Sequence, residues 1–321
     1  MSEPDCLVTD EAERMVRTKT LQSCRLSVRV AVSGLRGEVT FHASLREFTS
    51  LRIGGPAEAL VIPEDVEDLG KLVRQAYAAQ VPLFVLGGTN LLVRDGGLLG
   101  IVVSLSKFSM IQDESRHVVY AEGGVRMPVL VRHAISRSLS GLEWAAGIPG
   151  TVGGSVVMNA GTRLGEMKDS LQAIRLVDLQ GQERVHTASS IAFSYRHADI
   201  PKGVVVGAWL NLVAAPRTQI ERTTKDYLRY RKNTQPLTRP NAGSVFKNPG
   251  PQTAGQLIEE AGLKGTRIGD AQISEKHANF IVNLGQARAT DVQLLIQTIQ
   301  QTVFQQTGVS LDPEITIVGE S

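Results

Sequence analysis

Apolar residues recur along this chain with two periods, and each run predicts an element. From Glu64 to Gln80, the residues Val66, Leu69, Leu72, Val73, Ala76 and Tyr77 fall on one face at helical spacing. Met127 to Leu139 reads as a helix that tolerates Pro128 in its first turn, with Gly141 as its terminating glycine. Thr218 to about Arg231 reads as a charged helix, and Thr253 to Ala261 places Leu257, Ile258 and Ala261 together. Thr290 to Gln306 turns Val292, Leu295, Ile296, Ile299 and Val303 inward, with Thr290 and Gln293 as a capping box and Gly308 as the stop. Short extended runs lie between these helices. They include Ala57 to Ile62, Ile101 to Leu105, Val118 to Ala121, Ala173 to Leu179, Val204 to Val213, Ser244 to Phe246 and Glu314 to Val318. Gln180-Gly181 reads as a hairpin turn. Strands and helices mix without strict βαβ alternation, which argues for an α+β fold.

Residues 1–33 are polar and mixed in charge, unlike the rest of the chain, and read as a flexible extension. Pro216 closes the strand-rich part, so a first domain over 34–216 and a second over 217–321 are expected. A length of 321 residues with 42% hydrophobic and 21% charged residues fits two globular domains and excludes wholesale disorder. The net charge of +2 gives no footing for nucleic acid or an anionic membrane. Cys6 and Cys24 fit neither a metal motif nor a disulfide framework, and the histidines form no cluster, so no metal is expected. The longest mostly apolar run, Gly203 to Pro216, is too short to span a bilayer, and the acidic start lacks a secretory pattern. The expected location is cytoplasmic.

Two glycine clusters come after strands: Leu86-Gly87-Gly88-Thr89-Asn90 and Gly147-Ile148-Pro149-Gly150-Thr151-Val152-Gly153-Gly154. Backbone amides in such loops approach phosphate oxygens closely, and a helix starting near Gly153 would add positive potential. Two loops could clamp a pyrophosphate from both sides, with Thr89, Asn90 and Asn159 as polar anchors; the alternative is that the glycines only shape turns. Neither loop is a dinucleotide fingerprint or a P-loop. Ser194-Tyr195-Arg196, Gly243-Ser244 and Pro313-Glu314 are further candidate segments. No histidine neighbours Ser244 in sequence, so that serine fits a proton donor better than a base-activated nucleophile.

From about Gly34 to Gly319 the chain resembles the UDP-N-acetylenolpyruvoylglucosamine reductase family of flavoenzymes. The resemblance rests on Thr49 to Ala57, Gly87 to Leu91, Gly141 to Gly154, Met158 to Gly161, Tyr195-Arg196, Ala242 to Pro249, His277 to Asn283 and Pro313-Glu314. It implies a two-lobed FAD-binding domain of the vanillyl-alcohol-oxidase (PCMH) type and a smaller α+β substrate-binding domain. It implies non-covalent FAD held at Gly87, Gly88, Thr89, Asn90, Leu91, Gly147, Ile148, Pro149, Gly150, Gly153, Gly154 and Asn159. Thr234-Gln235-Pro236, running into the serine loop, is similar to the type II branch. Two positions depart from the family: the first glycine loop is one residue shorter than G-x-G-S-N, and Ala198 replaces a serine.

The implied reaction is peptidoglycan precursor chemistry. NADPH reduces the flavin, and hydride then passes to C3 of the enolpyruvyl ether of UDP-N-acetylglucosamine. Arg196 would stabilise the enolate-like charge, Ser244 would protonate C2, and Glu314 would hydrogen-bond the enol if protonated or orient its neighbours. Tyr195, Arg231, Lys232, Asn248 and His277 would contact substrate. For the charged segment Arg217 to Lys232 a solvated helix face is the alternative, and for His277 a structural histidine. A flavin oxidase of the same fold is a rival reading, although no His or Cys for covalent flavin attachment lies between Leu83 and Gly100. A non-catalytic flavin-binding module is another. No partner beyond the small-molecule substrate is expected, and a monomer is the expected state.

Overall fold

A computed structural model describes residues 27–87 and 89–321. The mixed α+β expectation holds. The first lobe is a four-stranded sheet in the order Glu38–Ser44, Pro56–Ile62, Leu98–Val103, Leu83–Val85. Its first pair is antiparallel and the others parallel, as the intervening helix Val66–Ala78 requires. That helix starts at Asp65, whose carboxylate accepts from the Asp68 N–H, and it buries Leu69, Leu72, Val73 and Ala76. The second lobe is a five-stranded antiparallel sheet in the order Glu183–Thr187, Leu171–Asp178, Gly203–Asn211, Val118–Glu122, Ile111–Asp113. Gly181 makes the Gln180-Gly181 hairpin turn possible, with φ of 74°. Val177, Val204 and Val206 join the first lobe's apolar cluster, so the lobes share a core.

The C-terminal part packs the helices Ala254–Glu260 and Ala289–Thr307 on a three-stranded sheet over Arg267–Ile268, Ala271–Ile273 and Ile281–Asn283. Leu51, Ile53 and Leu92 of the first lobe are fully buried in that same cluster. The last strand, Thr316–Val318, leaves its own domain and pairs in parallel with Leu91–Val93 beside the first glycine loop. The chain therefore crosses back to the first lobe at its end, which places Glu314 near that loop.

Several expectations need correction. The extension drawn over residues 1–33 ends too late: residues 27–31 are helical, and Val28, Ala31 and Val32 are buried in the first lobe's core. Residues 1–26, with Cys6 and Cys24, lie outside the described residues. Helix Met127–Ser136 ends before Gly141; Ser138 takes the left-handed position instead, at φ of 58°. Ser244 to Phe246 forms no strand, only an isolated bridge from Phe246 to Pro313. The start of helix Ala289–Thr307 is held by Asp291, whose carboxylate accepts from the Arg288 N–H at 2.9 Å, and by Asp95 from the first lobe, not by a box of Thr290 and Gln293. Asp95 accepts from the Ala289 N–H, the Thr290 N–H and the Thr290 hydroxyl at 2.9, 3.0 and 2.6 Å. Among the described residues no helix is long and apolar enough to cross a membrane, and no group of three or more His, Cys, Asp or Glu could hold a metal ion.

Candidate active site

The two glycine loops meet. A Cβ on Gly154 would lie 3.1 Å from the Gly87 Cα, and one on Gly150 only 2.7 Å from the Thr89 Cγ2. Side chains there would push the loops apart, so the glycines are needed for close approach. Thr151 caps the short helix Val152–Val157 by accepting from the Gly154 N–H. Around the first loop, the Ser50 hydroxyl donates to the Thr89 carbonyl at 2.9 Å and the Thr316 N–H to the Asn90 carbonyl at 2.8 Å. The Asn90 amide reaches the Met158 sulfur at 3.4 Å. Among the described residues, the backbone N–H groups of Gly87, Asn90 and Gly150 have no protein hydrogen-bond partner. Free amides on facing loops too tight for a Cβ fit the pyrophosphate of FAD. Gly88 lies outside the described residues.

Other residues assigned to the cofactor have different surroundings. Leu91 is a core residue of its strand, Ile148 packs on the second-lobe core, and Pro149 is exposed. Asn159 is fully buried, at φ of 39°. Its amide donates to Glu166 at 2.8 Å and to the Ser194 carbonyl at 3.2 Å, and its oxygen accepts from the Lys168 N–H at 3.1 Å. That side chain is committed to the protein and ties the glycine helix to the segment bearing Arg196.

Arg196 sits on a two-residue turn between the strands Ala192–Ser194 and His197–Asp199. Its φ of 58° is left-handed, a conformation that costs an ordinary residue about 1–2 kcal/mol. The Arg196 Nε donates to Glu314 at 2.8 Å, with the two side chains 20% and 14% exposed. The guanidinium also lies 4.9 Å from the centre of the Tyr195 ring. The Tyr195 phenol is 3.4 Å from Glu314, and burial followed by that carboxylate's charge pushes its pKa up. Ala198 is buried in the second-lobe core, where a serine hydroxyl would need its own partner.

Ser244 comes directly after Gly243, whose φ is 79°, in a loop fixed through its neighbours. The Glu314 N–H donates to the Val245 carbonyl at 2.7 Å, so Ser244 and Glu314 lie on adjacent, hydrogen-bonded segments. The fold thus gathers Arg196, Ser244 and Glu314 from three distant stretches of sequence. The Ser244 hydroxyl is half-buried and has no protein hydrogen bond among the described residues.

The substrate candidates are more scattered in role. Arg231 is 9% exposed and donates to the Ala146 carbonyl at 3.1 Å and to Gln235 at 2.9 Å; burial lowers its pKa. It braces the second glycine loop from below rather than facing solvent, and a Cβ on Gly147 would lie 3.2 Å from it. Lys232 is exposed, and its carbonyl accepts from Lys276. The Asn248 side chain accepts from the Ala254 N–H at 3.1 Å, at the start of a helix. His277 packs on Phe280 at 4.8 Å, and its Nδ1 accepts from the Asn279 N–H at 3.3 Å. Sequence reasoning missed Asn279, two residues beyond His277, although its side chain holds the serine loop directly. Its sequence signals are a polar residue within an apolar run and its place in the His277 to Asn283 stretch that carries the resemblance.

Facing amide loops on two lobes, beside a charged cluster at the junction with a third unit, define a protein built to hold a phosphate-bearing ligand next to that cluster. Residues 57–189 match the family described as FAD binding domain, and residues 235–318 match UDP-N-acetylenolpyruvoylglucosamine reductase, C-terminal domain. A protein of Syntrophus aciditrophicus named UDP-N-acetylenolpyruvoylglucosamine reductase is 46% identical over 90% of this chain and 94% of its own. One of Moorella thermoacetica with the same name is 42% identical over 90% and 96%. The crystal structure of the Thermus caldophilus enzyme superposes with a TM-score of 0.77 at 40% identity, covering 89% of this chain and all of that one. The chain belongs to the UDP-N-acetylenolpyruvoylglucosamine reductase family.

Proposed function

We infer that this chain reduces the enolpyruvyl ether of UDP-N-acetylglucosamine to UDP-N-acetylmuramate, with NADPH as reductant, as a cytoplasmic monomer. FAD, when bound, would supply the hydride chemistry that links NADPH to C3 of the enolpyruvyl group. The residues of the chain handle charge and proton. Gly87, Asn90 and Gly150 would offer backbone amides to the cofactor's pyrophosphate. Arg196 lies against the developing enolate and carboxylate, where a fixed cation in a partly dry site stabilises charge strongly. Glu314, as a carboxylate, aims that cation through its 2.8 Å contact. Ser244 gives its proton to C2; a weak acid suffices because the carbon is strongly basic.

The observation that carries this reading is the convergence of Arg196 and the Ser244 loop on Glu314, in the segment whose Thr316 also binds the Asn90 loop. The test is a visible spectrum of the yellow holoenzyme under anaerobic conditions. NADPH should bleach the flavin band, and the enolpyruvyl nucleotide alone should restore it. A flavin reoxidised by oxygen but indifferent to the nucleotide would replace this reading with an oxidase. Protein that cannot be loaded with FAD would replace it with a silent module.

A further inference from the structure

The Ser244 hydroxyl has no protein partner of its own among the described residues, so its position depends on the backbone just beyond it. That backbone is gripped by Asn279, which is 3% exposed. The Asn279 side-chain oxygen accepts from the Phe246 N–H at 2.9 Å, and its amide donates to the Phe246 carbonyl at 2.8 Å. Its own carbonyl accepts from the Val245 N–H at 2.9 Å. One residue therefore satisfies three of the four backbone groups of Val245 and Phe246. The fourth, the Val245 carbonyl, accepts from the Glu314 N–H at 2.7 Å. Val245 and Phe246 are 3% and 1% exposed, so water cannot replace these bonds.

The match is specific to an asparagine. The side-chain amide presents donor and acceptor together, as a neighbouring strand would, in a segment that fails to form a strand. An aspartate of the same shape keeps the acceptor and loses the donor, so it sets a carboxylate oxygen against the Phe246 carbonyl. A serine or alanine leaves both Phe246 groups unpaired.

We propose that Asn279 is a positioning residue for the proton-transfer step: it holds the Ser244 loop at the distance from Glu314 and Arg196 that delivery to C2 requires. The proposal rests on the reading of Ser244 as the proton donor. A displacement on the order of 1 Å in such a group costs up to about 10²-fold in rate.

The experiment compares four holoenzymes in stopped flow: wild type, Asn279→Asp, Ser244→Ala and the double variant. Flavin bleaching by NADPH should stay within about threefold of wild type in all four. Reoxidation by the enolpyruvyl nucleotide should slow about 10- to 100-fold in Asn279→Asp. In the Ser244→Ala background the same change should have less than about a threefold effect, because the two residues act as a unit. Calorimetric binding of the product nucleotide to the oxidised enzyme should change little. Should Asn279→Asp not accumulate as folded holoenzyme, Asn279→Ser takes its place in the cycle, with the thermal midpoint recorded for each protein.

Equal slowing in both backgrounds, or slowing of both half-reactions together, would reduce Asn279 to a structural role and overturn the proposal. So would unimpaired reoxidation in Asn279→Asp beside a crippled Ser244→Ala. Unimpaired reoxidation in Ser244→Ala would overturn the proton-donor reading itself, and the positioning proposal with it.

Discussion

The hairpin that carries Arg196 and the loop that carries Ser244 hold their side chains in opposite ways. Arg196 occupies the left-handed turn position itself, at φ of 58°, and its side chain is aimed by one ion pair. At Ser244 the left-handed residue is the preceding Gly243, and the backbone beyond is fixed by buried hydrogen bonds to Asn279 and Glu314. A cation acts through its field and tolerates some freedom, so a local turn and one carboxylate suffice. A hydroxyl that must hand over a proton acts only at contact, and its position draws on the packing of the whole C-terminal core.

The largest expected effect is on the serine side. Ser244→Ala should slow nucleotide-driven flavin reoxidation about 10²- to 10⁴-fold while NADPH still bleaches the flavin and the thermal midpoint holds. Arg196→Gln should slow the same step about 10²- to 10³-fold. Equal loss of both half-reactions in either variant would break the division of labour. Glu314→Gln keeps the shape but removes the charge that aims Arg196. A reoxidation rate about tenfold lower is expected, with full activity showing that the turn alone suffices.

Gly243→Ala tests the backbone side. Nothing lies within 4 Å of a Cβ built there, so only the left-handed φ of 79° opposes the change. A loss of about 1 kcal/mol is expected, lowering the thermal midpoint by about 2 °C. An unchanged midpoint would mean that the loop relaxes freely and is less tightly held than its hydrogen bonds imply.

Local pattern made much of this fold legible. On the helical face read from Val66 to Tyr77, Leu69, Leu72, Val73 and Ala76 are buried as the spacing predicts, while Tyr77 at its end is exposed, and the glycine clusters meet. The misreadings fall where a distant partner decides. Ser244 to Phe246 has strand-like residues, but its polar groups are taken by Asn279 and the Glu314 segment, leaving no ladder to form. Thr290 and Gln293 have capping-box spacing, yet Asp95, across the domain junction, binds the helix start. Arg231 has the sequence context of an exposed charge, and only tertiary packing puts it beneath Ala146. The pairing of Arg196 with Glu314 spans 118 residues, beyond the reach of any local periodicity.

Acid should separate the two regions. Burial pushes the His277 imidazole below its usual value of 6.5, with Lys264 adding to the effect and Glu259 opposing it. Below about pH 6.5 the unfolded chain takes up a proton that folded His277 refuses, so stability falls as pH falls towards the lower folded value; above 6.5 this contribution is fully present. Folded His277 must also stay unprotonated at Nδ1 to accept the Asn279 N–H, so the titration reaches the Ser244 loop. Beside Arg196 the shift runs the other way: the Tyr195 phenol is pushed above its usual 10 and does not titrate in acid. His277→Gln keeps an acceptor and removes the titration. Its thermal midpoint should fall less than that of wild type between about pH 7.5 and about pH 5.5, by a degree or two at most. Parallel curves for the two proteins would place the acid sensitivity elsewhere and remove the asymmetry between the loops.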